Sequence, residues 1–166
     1  MVVSPKPHII DAGVWIDLER GRVIRELFLL HHEWATSDLV IGELRALGSL
    51  LIGHGLRVLD LQPEEIMEIE HLRQIYKGPS IADLSCLVLA KSQKGTLVAG
   101  DQALRNAGKS EGVRVRGTLW ILDEWVDYQI FTGEQAAYAL QEMIKNRGWF
   151  PKEEVTKRIK HWTGKT

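Results

Sequence analysis

Hydrophobic and polar positions along the chain follow two different periods, and they alternate. Short apolar runs predict strands at "HIIDA" (8–12), "WATSDLV" (34–40) and "TLVAG" (96–100), and the β-rich "LRVLDL" from Leu56 to Leu61 predicts another. "VRVRG" (113–117) alternates with a period of two, as a strand buried on one face does. Between these runs the apolar residues recur at helical spacing. "VWIDLERG" reads as a short helix stopped by Gly21, and a second helix runs through "VIRELFLLHH". "IGELRALGSLLIG", "PEEIMEIEHLRQIY", "PSIADLSCLVLAKSQKG" and a segment from Gln102 to Lys109 read as further helices. After "VRVRG" only helical patterns follow: "TLWILDEWVDYQI", "GEQAAYALQEMIKNRG" and "KEEVTKRIKHW", punctuated by Gly133, Gly148 and Pro151.

Pro63 stands at a helix start and is followed by Glu64 and Glu65, where the helix dipole favours acids. The helix beginning near Ser80 has Ile81, Leu84, Leu87, Val88 and Leu89 and little polar face, so it is expected to pack centrally on a sheet. Strands separated by helices of these lengths predict right-handed crossovers and a parallel sheet. The expected fold is α/β: a three-layer α/β/α arrangement with a mostly parallel central sheet, plus additional C-terminal helices. The α/β domain is read over 1–130, with a helical extension packed on the same domain over 131–166.

Composition adds mainly exclusions. The chain has 166 residues, 45% hydrophobic and 26% charged, as an ordinary globular domain has, and no apolar run reaches the ~20 residues of a membrane span. The start "MVVSPKPHII" lacks the long apolar stretch and cleavage site of a signal peptide, which reads as a cytoplasmic protein away from membranes. The lone Cys86, among apolar neighbours, excludes an internal disulfide and a cysteine-based zinc site. Net charge is −1, so no bulk attraction to nucleic acid exists, but residues 91–116 carry six basic against two acidic side chains. Lys91, Lys94, Arg105, Lys109, Arg114 and Arg116 could track phosphates or simply form a solvated helix face. The six histidines have no ligand spacing beyond the adjacent His31 and His32, and neither a GxGxxG nor a Walker loop is present. Trp120, Trp125, Trp149 and Trp162 read as packing among the C-terminal helices before base stacking.

The chemistry concentrates in carboxylates. In a parallel sheet all strand C-termini open onto one edge, where residues distant in sequence meet. Asp11 ends the first predicted strand and Asp101 follows the strand at 96–100; Glu43 lies in the helix after the second strand, and Asp83 lies three residues after Ser80. Each has a plainer reading: helix caps for Asp11 and Asp101, a capping pair for Ser80 with Asp83, and a surface acid for Glu43. Together they suggest a site for a hard divalent cation, Mg²⁺ or Mn²⁺, since gathered carboxylates repel and lose hydration unless a cation compensates them. Such a cation at a phosphodiester supports hydrolysis.

At these residues the chain resembles the PIN-domain family of small α/β metal-dependent nucleases, which includes ribonuclease toxins of toxin-antitoxin pairs. The resemblance rests on "HIIDAGVWIDLERG", "TSDLVIGELRAL", "SIADLSCLVLAK" and "LVAGDQALRNAG" in order, with "VRVRGTLWILDEW" closing, and covers about Pro7 to Trp125. It implies a PIN-like nuclease domain in which Asp11, Glu43, Asp83 and Asp101 are both the catalytic and the metal-binding residues. It further implies hydrolysis of RNA, an antitoxin protein as a candidate partner, and a homodimer. The family often has Ser or Thr just after its first Asp and a polar residue shortly before its last acid; this chain has Ala12, Gly13 and Ala99. Those residues motivate the alternative of a catalytically weakened PIN-like module that binds nucleic acid or protein. An unrelated metal-dependent hydrolase or a receiver-like domain is a third reading, though no lysine follows a strand end to meet an acyl phosphate.

Overall fold

The computed structural model describes residues 5–164. The chain divides into two compact units, Met1–Val14 with His32–Gly117, and Trp15–His31 with Thr118–Thr166.

The first unit holds an all-parallel, five-stranded sheet. Its strands are β1 (His8–Ile10), β2 (Trp34–Ser37), β3 (Arg57–Leu59), β4 (Thr96–Val98) and β5 (Arg114–Arg116), in the spatial order β3-β2-β1-β4-β5. In the register, His8 pairs with Trp34 on one side and Thr96 on the other, and Val98 pairs with Arg116. This doubly wound order confirms the parallel α/β fold expected from the alternating periods. Five helices belong with the sheet: α3 (Asp38–Leu44), α4 (Ala46–Gly53), α5 (Pro63–Ile75), α6 (Ile81–Ser92) and α7 (Gln102–Ser110). Helix α6 packs across β1, β2 and β4, and its residues from Leu84 to Ala90 are all buried. Each buried leucine there contributes roughly 1.5–3 kcal/mol of hydrophobic stabilisation.

Several boundaries differ from the sequence expectation. "WATSDLV" stays extended only to Ser37, whose hydroxyl accepts from the Val40 N–H at 3.2 Å and starts α3. A side-chain cap thus ends a strand that apolar periodicity would extend. "IGELRALGSLLIG" is not one helix: Arg45, at φ +55°, separates α3 from α4. No glycine, asparagine or proline marks that break. After the break the chain packs closely, since a Cβ at Gly48 would sit 3.2 Å from Ile41 Cγ2. "LRVLDL", "HIIDA" and "TLVAG" each narrow to three paired residues.

The second unit is helical: the greater part of α1 (Ala12–Arg20), with α2 (Ile24–Leu27), α8 (Thr118–Asp127), α9 (Gly133–Lys145) and α10 (Lys152–Thr163). The helix expected through "VIRELFLLHH" is only the single turn α2. Trp125 is fully buried and its indole donates to the Glu26 carbonyl at 2.9 Å. Asp123 accepts from the Trp162 indole at 2.9 Å and from Arg158 at 3.1 Å, fixing α10 to α8. Packing therefore explains Trp125 and Trp162, whereas Trp149 is 81% exposed.

At the N-terminal edge of the sheet His8 lies among aromatic rings, with centroids 4.5 Å from His32 and 5.2 Å from Trp34. Burial, reinforced by the fields of His32, Arg114 and Arg116, pushes its pKa from the ordinary 6.5 to about 4. The unfolded chain therefore takes up this proton first as pH falls. The associated stability is complete above pH 6.5 and declines between there and about pH 4. Urea midpoints measured across that interval are expected to fall with pH, and to fall less steeply in His8→Gln. Parallel profiles for the two proteins would assign the effect to other groups.

Candidate active site

The first and fourth strands are neighbours whose connections run to opposite sides, so the crevice at their C-terminal ends is the switch point of this sheet. Asp11 enters it directly after β1. Its N–H donates to the Val98 carbonyl at 3.0 Å, which continues the β1–β4 pairing, and its Oδ1 accepts from the Val14 N–H at 3.0 Å. The carboxylate is thus a cap of α1, and the residue is only 2% exposed.

The backbone before Asp11 is held from two sides. The Ile10 carbonyl accepts from the buried Thr36 hydroxyl at 2.6 Å and from the Cys86 thiol at 3.7 Å. Ser85, on α6, donates to Ser37 at 2.6 Å, adding a second polar tie to the end of β2. Sequence reasoning looked for a hydroxyl immediately after Asp11 and missed Thr36, which reaches the same spot from the neighbouring strand. The signal available was a threonine inside an apolar strand. Burial first, then the negative charges of Asp11 and Asp83, pushes the Cys86 thiol up to about 12. The thiol is therefore inert as a nucleophile.

Asp101 follows β4 and caps α7, its Oδ2 accepting from the Leu104 N–H at 2.9 Å. Among the described residues Oδ1 has no hydrogen-bond partner, and the residue is exposed. Asp83 forms a capping box at the start of α6: its Oδ2 accepts from the Ser80 N–H at 3.0 Å, and Ser80 Oγ accepts from the Asp83 N–H at 3.1 Å. The helix-cap readings of Asp11, Asp83 and Asp101 are all correct. For Asp83 and Asp101 the cap uses one of the two carboxylate oxygens, which leaves room for a second role. Glu43, on α3, is exposed and makes no side-chain hydrogen bond or ion pair among the described residues.

Residues 7–164 match the family described as PIN domain. The chain belongs to the PIN-domain family. Proteins of this family are in general nucleases that use divalent metal ions. Among solved structures, this PIN domain is similar to PAE2754 from Pyrobaculum aerophilum, with 15% identity and a TM-score of 0.55 over 71% of this chain and 88% of that one. A PilT N-terminus domain protein from the hyperthermophilic archaeon Sulfolobus solfataricus P2 also matches, with 13% identity and a TM-score of 0.49 over 70% and 91% of the two chains. At such identities the first likeness speaks to fold alone. No curated protein matches the sequence.

The PIN domain's donor set is oxygen only at this edge. Among the described residues no three His, Cys, Asp or Glu side chains stand close enough to share one metal ion. A four-acid cluster is therefore not assembled among the described residues, and Glu43 in particular stands exposed. The arrangement fits a hard cation that keeps most of its waters and takes one or two carboxylates plus substrate oxygens, the usual habit of Mg²⁺. Asp11 and Asp101, following adjacent parallel strands, are the acids best placed for that.

The basic segment resolves into separate roles. Lys91 is not available to a ligand: it pairs with Glu68 and Glu111, both at 2.8 Å, and Glu111 also accepts from the Tyr76 hydroxyl at 2.7 Å. Lys109 is exposed on α7, and Arg114 stands near His8 at the opposite edge. Arg105, through its guanidinium, and Arg116, through its backbone carbonyl, both bond Ala99 just after β4. No helix among the described residues is long and apolar enough to cross a membrane.

Proposed function

We propose that the protein is an endoribonuclease dependent on Mg²⁺ or Mn²⁺ that hydrolyses phosphodiester bonds of single-stranded RNA. The observation that carries this reading is Asp11, a buried carboxylate at the switch point that accepts from the Val14 N–H and follows an Ile10 carbonyl tied by Thr36 and Cys86, with Asp101 following the adjacent strand. A divalent cation at the sheet edge would be attracted to this buried charge in surroundings of low dielectric. When bound, that cation would supply a water of lowered pKa and would neutralise charge developing on the phosphoryl oxygens. Asp11 and Asp101 would hold it, with Asp83 and Glu43 as the remaining acids of the proposed set. The chain's own part is positional. The α1 and α7 caps fix the carboxylate rotamers before substrate arrives, so little ordering remains to be done on binding. A role as the toxin of a toxin-antitoxin pair, with an antitoxin partner and a homodimer, belongs to the same proposal.

The test is cleavage of labelled single-stranded RNA with Mg²⁺, Mn²⁺ or EDTA, together with thermal denaturation. Cleavage only with metal is expected, and Mn²⁺ is expected to raise the midpoint of the wild type more than that of Asp101→Asn. Equal metal stabilisation of both would remove Asp101 from the ligand set. Exposed Glu43 and the absence of a three-acid cluster among the described residues favour a second reading, a module that binds without efficient cleavage. Tight RNA binding with no metal-dependent product would establish that reading instead.

A further inference from the structure

Two arginines adjoin the end of β4, Arg105 through its guanidinium and Arg116 through its backbone carbonyl, and among the described residues no carboxylate pairs with either. Arg105 lies one turn into α7 and reaches back toward the sheet, where its Nη1 donates to the Ala99 carbonyl at 2.9 Å. On the other side of Ala99, the Ala99 N–H donates to the Arg116 carbonyl at 2.9 Å, so both arginines adjoin the same residue of the sheet edge. The remaining Arg105 donors make no hydrogen bond, and neither arginine forms an ion pair among the described residues. Arg116 is exposed, with its one side-chain bond to the Val115 carbonyl at 3.2 Å.

The placement of Arg105 is specific. A Cβ at Gly117 would lie 2.6 Å from Nη1, so the guanidinium occupies space that only glycine leaves open. Arg105 is half-buried; burial lowers its pKa, the charge of Asp11 raises it, and the charge of Arg116 lowers it again. A desolvated cation beside a like charge is an unfavourable arrangement in the empty protein. An anion accepted between the two would relieve it. Guanidinium groups suit phosphate in particular, since their planar fork of donors matches two oxygens of one group.

We propose that Arg105 and Arg116 form a phosphate grip at the end of β4, holding a backbone phosphate of single-stranded RNA beside Asp11. This rests on the ribonuclease reading and adds substrate-positioning residues to it. Asp11 stands on the β1 side of Val98 and Arg116 pairs with Val98 on the β5 side, so the grip and the acids flank one strand end. The strand bound there would have one phosphate anchored by cations while a neighbouring linkage faces the carboxylates. Binding through the grip needs no metal, which separates it from cleavage.

The experiment is fluorescence anisotropy of a single-stranded oligoribonucleotide in EDTA over a range of salt concentrations, with metal-dependent cleavage measured in parallel. Arg105→Met is expected to weaken binding roughly tenfold at low salt and to reduce the slope of log K against log salt by about 0.7, one phosphate contact on a single strand. Arg116→Met, at an exposed position where folding is not at stake, is expected to do the same. Gly117→Ala keeps both charges but displaces Arg105, and should reproduce the affinity loss. Lys109→Met removes an equal charge elsewhere on α7 and should leave the slope unchanged if the grip is specific. Arg105→Lys should restore the slope but not the full affinity. Unchanged binding in both arginine variants, or an equal loss in Lys109→Met, would overturn the grip and leave the nuclease reading standing if the wild type cleaves. Arginine-dependent binding without any metal-dependent cleavage would leave the grip and overturn the nuclease reading. A wild type that neither binds nor cleaves RNA would overturn both.

Discussion

Asp11→Asn is expected to lower metal-dependent RNA cleavage by about a thousandfold or more while leaving the fold intact. The substitution is close to isosteric. Its side-chain oxygen can still accept from the Val14 N–H, and asparagine caps a helix about as well as aspartate, so α1 should start where it does now. The Ile10 carbonyl would keep its bonds from Thr36 and Cys86, which involve only the backbone. What is lost is the negative charge of a residue only 2% exposed, and with it the attraction for a cation at the strand end. The response of the thermal midpoint to Mn²⁺ should shrink. Multiple-turnover cleavage assays and paired melts with and without metal measure both parts. Full activity in a folded Asp11→Asn protein would sink the proposed site, whatever the other acids do.

Gly95→Ala should produce the largest stability loss among the single substitutions considered. Helix α6 ends in a turn at Lys94, at φ +52°, and Gly95 closes it by donating to the Ala90 carbonyl at 2.9 Å. The next residue, Thr96, begins β4 by donating to the Pro7 carbonyl at 3.0 Å. A Cβ on Gly95 would overlap that same Pro7 carbonyl oxygen, which is backbone and cannot rotate aside. The alanine variant must therefore push β4 away from β1 at the centre of the sheet, at a cost of about 2–4 kcal/mol. The displacement would also separate Asp11 from the strand leading to Asp101, so activity should fall with stability. Urea denaturation reads the first effect. A wild-type midpoint would show that the two backbones are less tightly opposed than this geometry requires.

These two positions differ in how far the sequence announced them. Asp11 stood out because an acid after an apolar run in an alternating chain falls at a sheet edge. Gly95 looked like ordinary punctuation after a helix, and its partner Pro7 is far away in the chain. The same contrast runs through the rest of the molecule. The capping pair of Ser80 and Asp83 was legible, since both partners lie within one turn. The break at Arg45 was not, because a residue with no left-handed preference stands there at φ +55°. Six cations in one basic segment gave no hint that Lys91 is consumed by Glu68 and Glu111 while Arg105 and Arg116 are left unpaired.

By itself, then, the sequence determined the alternation of strands and helices, the parallel sheet, the central burial of α6 and the four candidate acids. These follow from local periodicity, caps and the topological rule that parallel strands end on one edge. Only the tertiary structure decided that β1 and β4 are neighbours at the switch point, that Thr36 rather than a residue after Asp11 holds the backbone there, that Glu43 stands exposed, and that Arg105 folds back onto Ala99. Each of those depends on a contact between segments far apart in the chain, whose energy belongs to the packed arrangement and leaves no periodic trace in either segment.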